Sequence, residues 1–154
     1  MRRSDREISD IAEIESIIGK ADVCRIAIAN DDYPYIVTLN FGYSGSPRKE
    51  IYFHCAPEGK KLDMIRKNNF VCFQMDADHL LTRAKLSCDW GMGYSSVTGY
   101  GRIHFVDNIE EKTFGLNCIM KHYGRMNQYN YDEKTFARTV VLRLDIEEIS
   151  GKKK

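Results

Sequence analysis

The chain has 154 residues, with 23 basic and 22 acidic side chains. The resulting formal charge of +1 recommends neither nucleic acid nor an anionic membrane surface as partner. With 43% hydrophobic and 29% charged residues, the composition is that of an ordinary globular chain, long enough for one domain over residues 1–154 with its own core. No apolar run approaches the roughly 20 residues that a spanning helix needs, and the first seven residues lack the apolar core of a secretion signal, so the expected location is cytoplasmic.

The first element is a helix. Asp10 with Glu13 has the spacing of a capping box, and Ile11, Ile14, Ile17 and Ile18 place an apolar stripe on a short helix that ends near Gly19. Residues 23–29 read as a strand that enters a turn at Asn30, Asp31 and Asp32. From 35 to 43 the odd positions Tyr35, Val37, Leu39, Phe41 and Tyr43 are large and apolar. The even positions include Thr38, Asn40 and Gly42, so this is a strand with one packed face and one hydrogen-bonding face. A loop through Ser46 and Pro47 joins it to a strand over 50–55, giving a hairpin. A helix follows Gly59 and stops near Asn68. Residues 71–75 suit a short strand buried on both faces, while 76–92 hold no clear period and read as strand with irregular loop. Residues 94–105 form a long strand, with Gly99 and Gly101 marking a bend or bulge in a curved sheet. Asp107 or Asn108 caps a third helix ending at Gly124. Residues 125–138 read as loop with helical turns, and 140–146 alternate as a last strand before a basic tail at 151–154. Hairpin-connected strands with three helices argue an antiparallel α+β domain built around a small barrel.

The five cysteines, Cys24, Cys55, Cys72, Cys88 and Cys118, are odd in number and widely spaced, with no C-x-x-C pair. They read as reduced residues, and no metal site is expected from them. The segment 51–67 carries more. Its helix begins with Lys60 and Lys61, where the macrodipole and unpaired N–H groups disfavour cations. A bound anion explains that placement, and the free N–H groups, Gly59 and two ammonium groups together describe a phosphate site. A solvated lysine pair on an exposed helix face is the ordinary alternative.

Four stretches then fall in a recognisable order: RRSDREI at 2–8, PYIVTLNFGY at 34–43, YFHCAPEGKK at 52–61 and YSSV at 94–97. Together they resemble the FMN-binding split-barrel proteins related to pyridoxamine 5′-phosphate oxidase, in the branch that contains nitroimidazole-resistance proteins. The likeness runs nearly end to end, to DIEEISGK at 145–152. It implies an α+β, mainly β fold: a six-stranded antiparallel split β-barrel flanked by helices. It also implies a homodimer with a flavin at the subunit interface. By the resemblance, Val37, Thr38, Leu39 and Asn40 lie along the isoalloxazine, with Thr38 and Asn40 supplying polar groups. Glu58, Gly59, Lys60 and Lys61 hold the phosphate, and Tyr94, Ser95, Ser96 and Val97 form a second ligand-facing segment. FMN is the implied cofactor, with FAD also possible.

His54 shares the face of its strand with Tyr52 and lies just before the phosphate turn, so it is both a cofactor contact and the catalytic candidate, as a proton donor. A hydrogen-bonded barrel histidine with no chemical role is the bland alternative. His79, His104 and His122 lack that context. Trp90, Tyr94 and Tyr100 suit a flat ring, although core or interface packing serves at least one of them. Tyr129 and Tyr131 are candidates to cap the site from the partner subunit, and the arginine-rich start is expected to be ordered against a partner chain. The chain ends without the arginine- and histidine-bearing segment by which pyridoxamine 5′-phosphate oxidases grip their substrate. The expected activity is therefore an FMN-dependent reductase passing electrons from a small-molecule donor to a small acceptor, with no nucleic acid or membrane as partner. The alternatives are a flavin carrier without turnover, which could also hold a tetrapyrrole-like ligand, and a pyridoxamine 5′-phosphate oxidase.

Overall fold

The computed structural model describes residues 3–30, 33–45, 47–124 and 129–154. Arg2, the turn residues Asp31 and Asp32, the loop residue Ser46 and the first part of the 125–138 segment lie outside the described residues. The chain opens with a 3-10 turn at Ser4–Arg6 and strand β1 (Glu7–Ile8). Asp10 then accepts a hydrogen bond from the Ala12 N–H at 3.2 Å and starts α1 (Ile11–Lys20), whose Ile14, Ile17 and Ile18 are buried. Strands β2 (Cys24–Ile28), β3 (Tyr35–Leu39), β4 (Phe41–Ser44) and β5 (Glu50–Cys55) follow, then α2 (Lys60–Lys67). Strands β6 (Phe70–Thr82) and β7 (Gly91–Phe105) form a long hairpin. Helices α3 (Ile109–Gly124) and α4 (Glu133–Arg138) precede the last strand, β8 (Val140–Lys153).

All strand pairs are antiparallel, in the order β3-β2-β6-β7-β8-β5-β4, with β1 on β8. This is the expected mainly antiparallel architecture flanked by helices, but with eight strands among the described residues where six were expected. Two local events make the difference. The strand read over 35–43 breaks at Asn40, because its first half pairs with β2 and its second with β5, and one straight strand cannot serve both ends of a split sheet. The start of the chain adds β1, whose Glu7 and Ile8 pair with Lys152 and Gly151. The basic tail is thereby strand: β8 runs between β7 and β1, where its backbone groups have partners on both sides.

Four α-helices appear among the described residues where three were expected. Asn108 caps α3, accepting from the Glu111 N–H at 3.0 Å. Asp132 caps the additional helix, α4, accepting from the Thr135 N–H and hydroxyl, each at 2.8 Å. The short strand expected over 71–75 continues to Thr82. Its extension carries exposed Leu80 and Leu81, since both faces of the projecting hairpin meet solvent and alternation is not enforced there.

The odd positions of β3 point inward, as the alternation over 35–43 required, and Ile51 and Phe53 of β5 do likewise. Phe41, Ile51, Phe53, Phe73, Val97, Leu142 and Leu144 fill the barrel and are fully buried, each full burial contributing about 1.5–3 kcal/mol. A second cluster lies on the outer surface, where Tyr52 and Val141 pack beneath Leu116 and Ile119 of α3. The helix approaches so closely because of Gly42, at which a Cβ would sit 2.2 Å from the Ile119 backbone nitrogen. No helix among the described residues is long and apolar enough to cross a membrane.

Candidate functional site

Strand β5 delivers His54 to the outer surface of the barrel, two residues beyond Tyr52 on the same face. Its register with Val141 of β8 places it where α3 gives way to the 130–139 segment. The chain then turns through Ala56 and Pro57 into α2. Gly59, the residue before that helix, has φ +139°, in the region that favours glycine, so the tight turn depends on it. Having no side chain, Gly59 cannot cap. Among the described residues the Lys60 and Lys61 N–H groups have no hydrogen-bond acceptor, while those of Leu62 and Asp63 reach back to the Gly59 carbonyl.

The two lysines diverge. Lys60 donates to the Tyr33 hydroxyl at 3.0 Å and lies over the rings of Tyr33 and Tyr35, 5.0 and 4.9 Å from their centroids. Lys61 turns the other way, into a cleft of about 570 Å³ lined by His54, Cys55, Pro57, Lys134, Arg138 and Thr139 among others. No carboxylate lines that cleft. Burial raises the Cys55 thiol above its ordinary value, with Lys61 pulling it partly back, so Cys55 stays neutral at pH 7 and the lining is cationic. Glu58 is exposed and pairs with neither lysine among the described residues.

A smaller pocket of about 250 Å³ adjoins the cleft through His54, Thr135 and Thr139, and its other walls include Leu116, Ile119, Met120, Tyr131 and Phe136. His54 thus stands between a cationic space and a largely apolar one. Tyr131 is held there by its hydroxyl, which donates to Asn117 at 2.8 Å.

On β3, Thr38 faces outward and is exposed, as is Asn40 after it, while Val37 and Leu39 pack against the barrel core and offer a ligand only their backbone. Asn40 comes just before Phe41, which pairs with Phe53, so the β3–β4 break brings it beside the strand end that carries His54. His54 and Lys61 therefore share one cleft, with Asn40 beside the strand end that carries His54, while Thr38 lies further along β3.

The 94–97 segment does not join them within one chain. Thr38 pairs with Arg25, Arg25 with Gln74 and Gln74 with Thr98, so three strand spacings, roughly 14 Å, separate β3 from β7. The ground between is occupied: Arg25 donates to Asp76 at 2.6 Å, and the Gln74 amide donates to the same oxygen at 3.1 Å. Ser95 and Val97 are buried in the barrel, leaving Tyr94 and Ser96 on the outer face, with the Lys152 ammonium 5.8 Å from the Tyr94 ring centroid.

The remaining histidines have structural partners. His79 meets Asp76 at 2.8 Å, His104 meets Asp145 at 3.4 Å, and His122 meets the Ala21 carbonyl at 2.8 Å. Trp90 donates to the Ala84 carbonyl at 2.8 Å on the projecting hairpin, and Tyr100 stacks on Phe70 with centroids 6.3 Å apart. Sequence reasoning missed Lys134, Arg138 and Thr139. The available signal was Asp132 followed by Glu133, a cap and an acidic first turn that mark a helix within the segment read as loop.

The family model described as pyridoxamine 5′-phosphate oxidase matches residues 10–153. A candidate 5-nitroimidazole antibiotic resistance protein from Bacteroides thetaiotaomicron has a similar structure, with a TM-score of 0.82 and 33% identity over 95% of this chain and 85% of that one. An FAD-binding protein from Mesorhizobium loti superposes with a TM-score of 0.68 and 26% identity, covering 97% of each chain. An uncharacterised protein of Rhizobium meliloti is 33% identical over 63 residues, which span 41% of this chain and 39% of that protein.

Proposed function

The chain belongs to the pyridoxamine 5′-phosphate oxidase family, and from that premise we propose that it is an FMN-binding reductase resembling the nitroimidazole-resistance branch. The observation that carries the reading is the acid-free cationic cleft at the start of α2, with His54 on its rim. That donor set suits a flavin phosphate. Lys61 would neutralise it, with the free N–H groups of Lys60 and Lys61 as hydrogen-bond donors, at about 1.5–3 kcal/mol for each charge-assisted contact. Lys60 would reach it by leaving Tyr33, a movement within the range of an exposed lysine.

Thr38 and Asn40 offer outward polar side chains to the imide and carbonyl edge of a flat ring. Tyr94 and Ser96 lie too far away along the same sheet to close over that ring, and a second copy of the chain would bring them to it. Exposed Ile36 (63%), Tyr100 (44%) and Leu80 (69%) on the β3-β2-β6-β7 portion provide apolar surface for such a homodimer. The flavin supplies electron transfer between a reduced donor, such as a nicotinamide, and a small acceptor. The apolar pocket beside His54 has the size and lining for a small aromatic acceptor. The His54 imidazole, exposed and within neither hydrophobic cluster, would donate a proton from a ring nitrogen to an acceptor oxygen.

A spectrum of the purified protein tests the premise: a yellow sample that releases FMN on denaturation is expected, and a colourless one that takes up no flavin sinks the reading. Lys60→Ala with Lys61→Ala is expected to weaken FMN binding by more than about tenfold. His54→Ala is expected to spare binding and to lower the rate at which reduced flavin is oxidised by a nitroaromatic acceptor. If wild-type flavin is neither reduced by NADH or NADPH nor oxidised by the acceptor faster than free FMN, the protein is a flavin carrier.

A further inference from the structure

The phosphate turn accounts for only one wall of the 570 Å³ cleft. Its opposite wall comes from α4, where Lys134 and Arg138 are spaced i,i+4 and so lie on one helix face about 6 Å apart along the axis. Among the described residues Lys61, Lys134 and Arg138 have no carboxylate partner. Other cations of the chain do have acidic partners, among them Lys20 on Asp78, Arg25 on Asp76 and Arg102 on Glu147. The acids of α4 do not serve the cleft: Glu133 lines a different hollow, beside Phe105 and Lys112, and Asp132 is engaged by Thr135.

The α4 wall is also held in place. Asp132 caps it, the Thr139 hydroxyl donates to the Thr135 carbonyl at 2.8 Å, and Phe136 packs under the Lys112 ammonium at 4.6 Å from the ring centroid. Two fixed walls therefore present uncompensated positive charge across a space that falls within the size range of whole ligand pockets. A single phosphoryl group on the α2 side would leave Lys134 and Arg138 facing empty solvent, whereas a diphosphate would meet both walls.

We propose that Lys134 and Arg138 form a second anion subsite opposite Lys61, so that the cleft accommodates the diphosphate of a dinucleotide. The proposal rests on the flavin reading above and extends it. Two sources carry that chemistry, FAD as the cofactor itself and a nicotinamide dinucleotide as the donor to bound FMN.

The test uses the full chain and its Lys134→Gln/Arg138→Gln variant, titrated with FMN and with FAD by flavin fluorescence, and with NAD⁺ after loading with FMN. The variant is expected to hold FMN within about twofold of wild type and to lose more than about tenfold in affinity for one dinucleotide, as the removal of charge-assisted contacts predicts. A loss confined to FAD assigns the diphosphate to the cofactor, and one confined to NAD⁺ assigns it to the donor. Unchanged affinity for both dinucleotides, or an FMN loss equal to the FAD loss, overturns the subsite. A wild-type protein that binds FMN while the variant shows either of those results leaves the flavin reading standing, whereas a wild type that binds no flavin removes both. Equal urea midpoints for wild type and variant confirm that any loss is local, since both side chains are exposed.

Discussion

Tyr52 and His54 are two residues apart on one face of one strand, yet they belong to different kinds of structure. Tyr52 is fully buried under α3, against the backbone space of Gly115, where a Cβ would meet its ring at 2.4 Å, and its hydroxyl donates to Glu50 at 2.7 Å. His54 is exposed between two pockets. The covered half of that face is a core in its own right, while the open half is available to a ligand. The difference arises from where α3 ends and α4 begins, not from the strand, because β8 backs both residues with an equally regular ladder.

The sharpest way to break this comparison is truncation at each position. Tyr52→Ala should destabilise the protein by about 3–5 kcal/mol, read as a lower urea midpoint, whereas His54→Ala should change stability by no more than about 0.5 kcal/mol. Equal losses would mean that the open half is as tightly packed as the covered one. Gly59→Ala should cost about 1–3 kcal/mol through backbone strain alone, because φ +139° excludes a side chain while nothing lies within 4 Å to clash with it. An unchanged midpoint would show that the turn into α2 has another conformation open to it.

The smallest effect belongs to alkaline pH. Burial, followed by the neighbouring carboxylates Glu15 and Glu50, raises the hydroxyls of Tyr43 and Tyr52, and burial raises the Cys24 thiol. The unfolded chain therefore gives up these protons first. The stability they carry is complete below the ordinary values and is lost progressively as pH rises above about 9 to 10 towards the raised folded values. Urea midpoints that fall across that interval, and fall less in Tyr52→Phe, would sharpen the contrast between the two halves.

The strand over 35–43 and the start of α2 were legible in the sequence because they rest on local rules. The alternation over 35–43 separated the packed Val37 and Leu39 from the outward Thr38 and Asn40, and the misplaced cations at 60 and 61 marked the helix start. The break at Asn40 was not legible, since the same alternation suits one strand or two, and only the pairing partners decide. Nor was the end of β6 at Thr82, within the stretch 76–92 read as strand with irregular loop, where solvent on both faces removes the period that sequence reading depends on. The segment at 94–97 was chosen by likeness, and its two inward residues, Ser95 and Val97, show that a matching string does not say which side chains face out.

Periodicity and capping are properties of neighbours in the chain. The residues alone therefore determined most of the strand and helix inventory, the inward face of the strand over 35–43 and the tight turn at Gly59 into a lysine-headed helix. The cleft needs parts that are far apart in the chain: Lys61 from α2, His54 from β5, and Lys134 and Arg138 from α4. Their convergence follows from β5 pairing with β8 and from α3 packing against Gly42, contacts that no local pattern encodes. The sequence by itself supplied one cation wall and its turn, and only the tertiary structure set a second cation wall across from it.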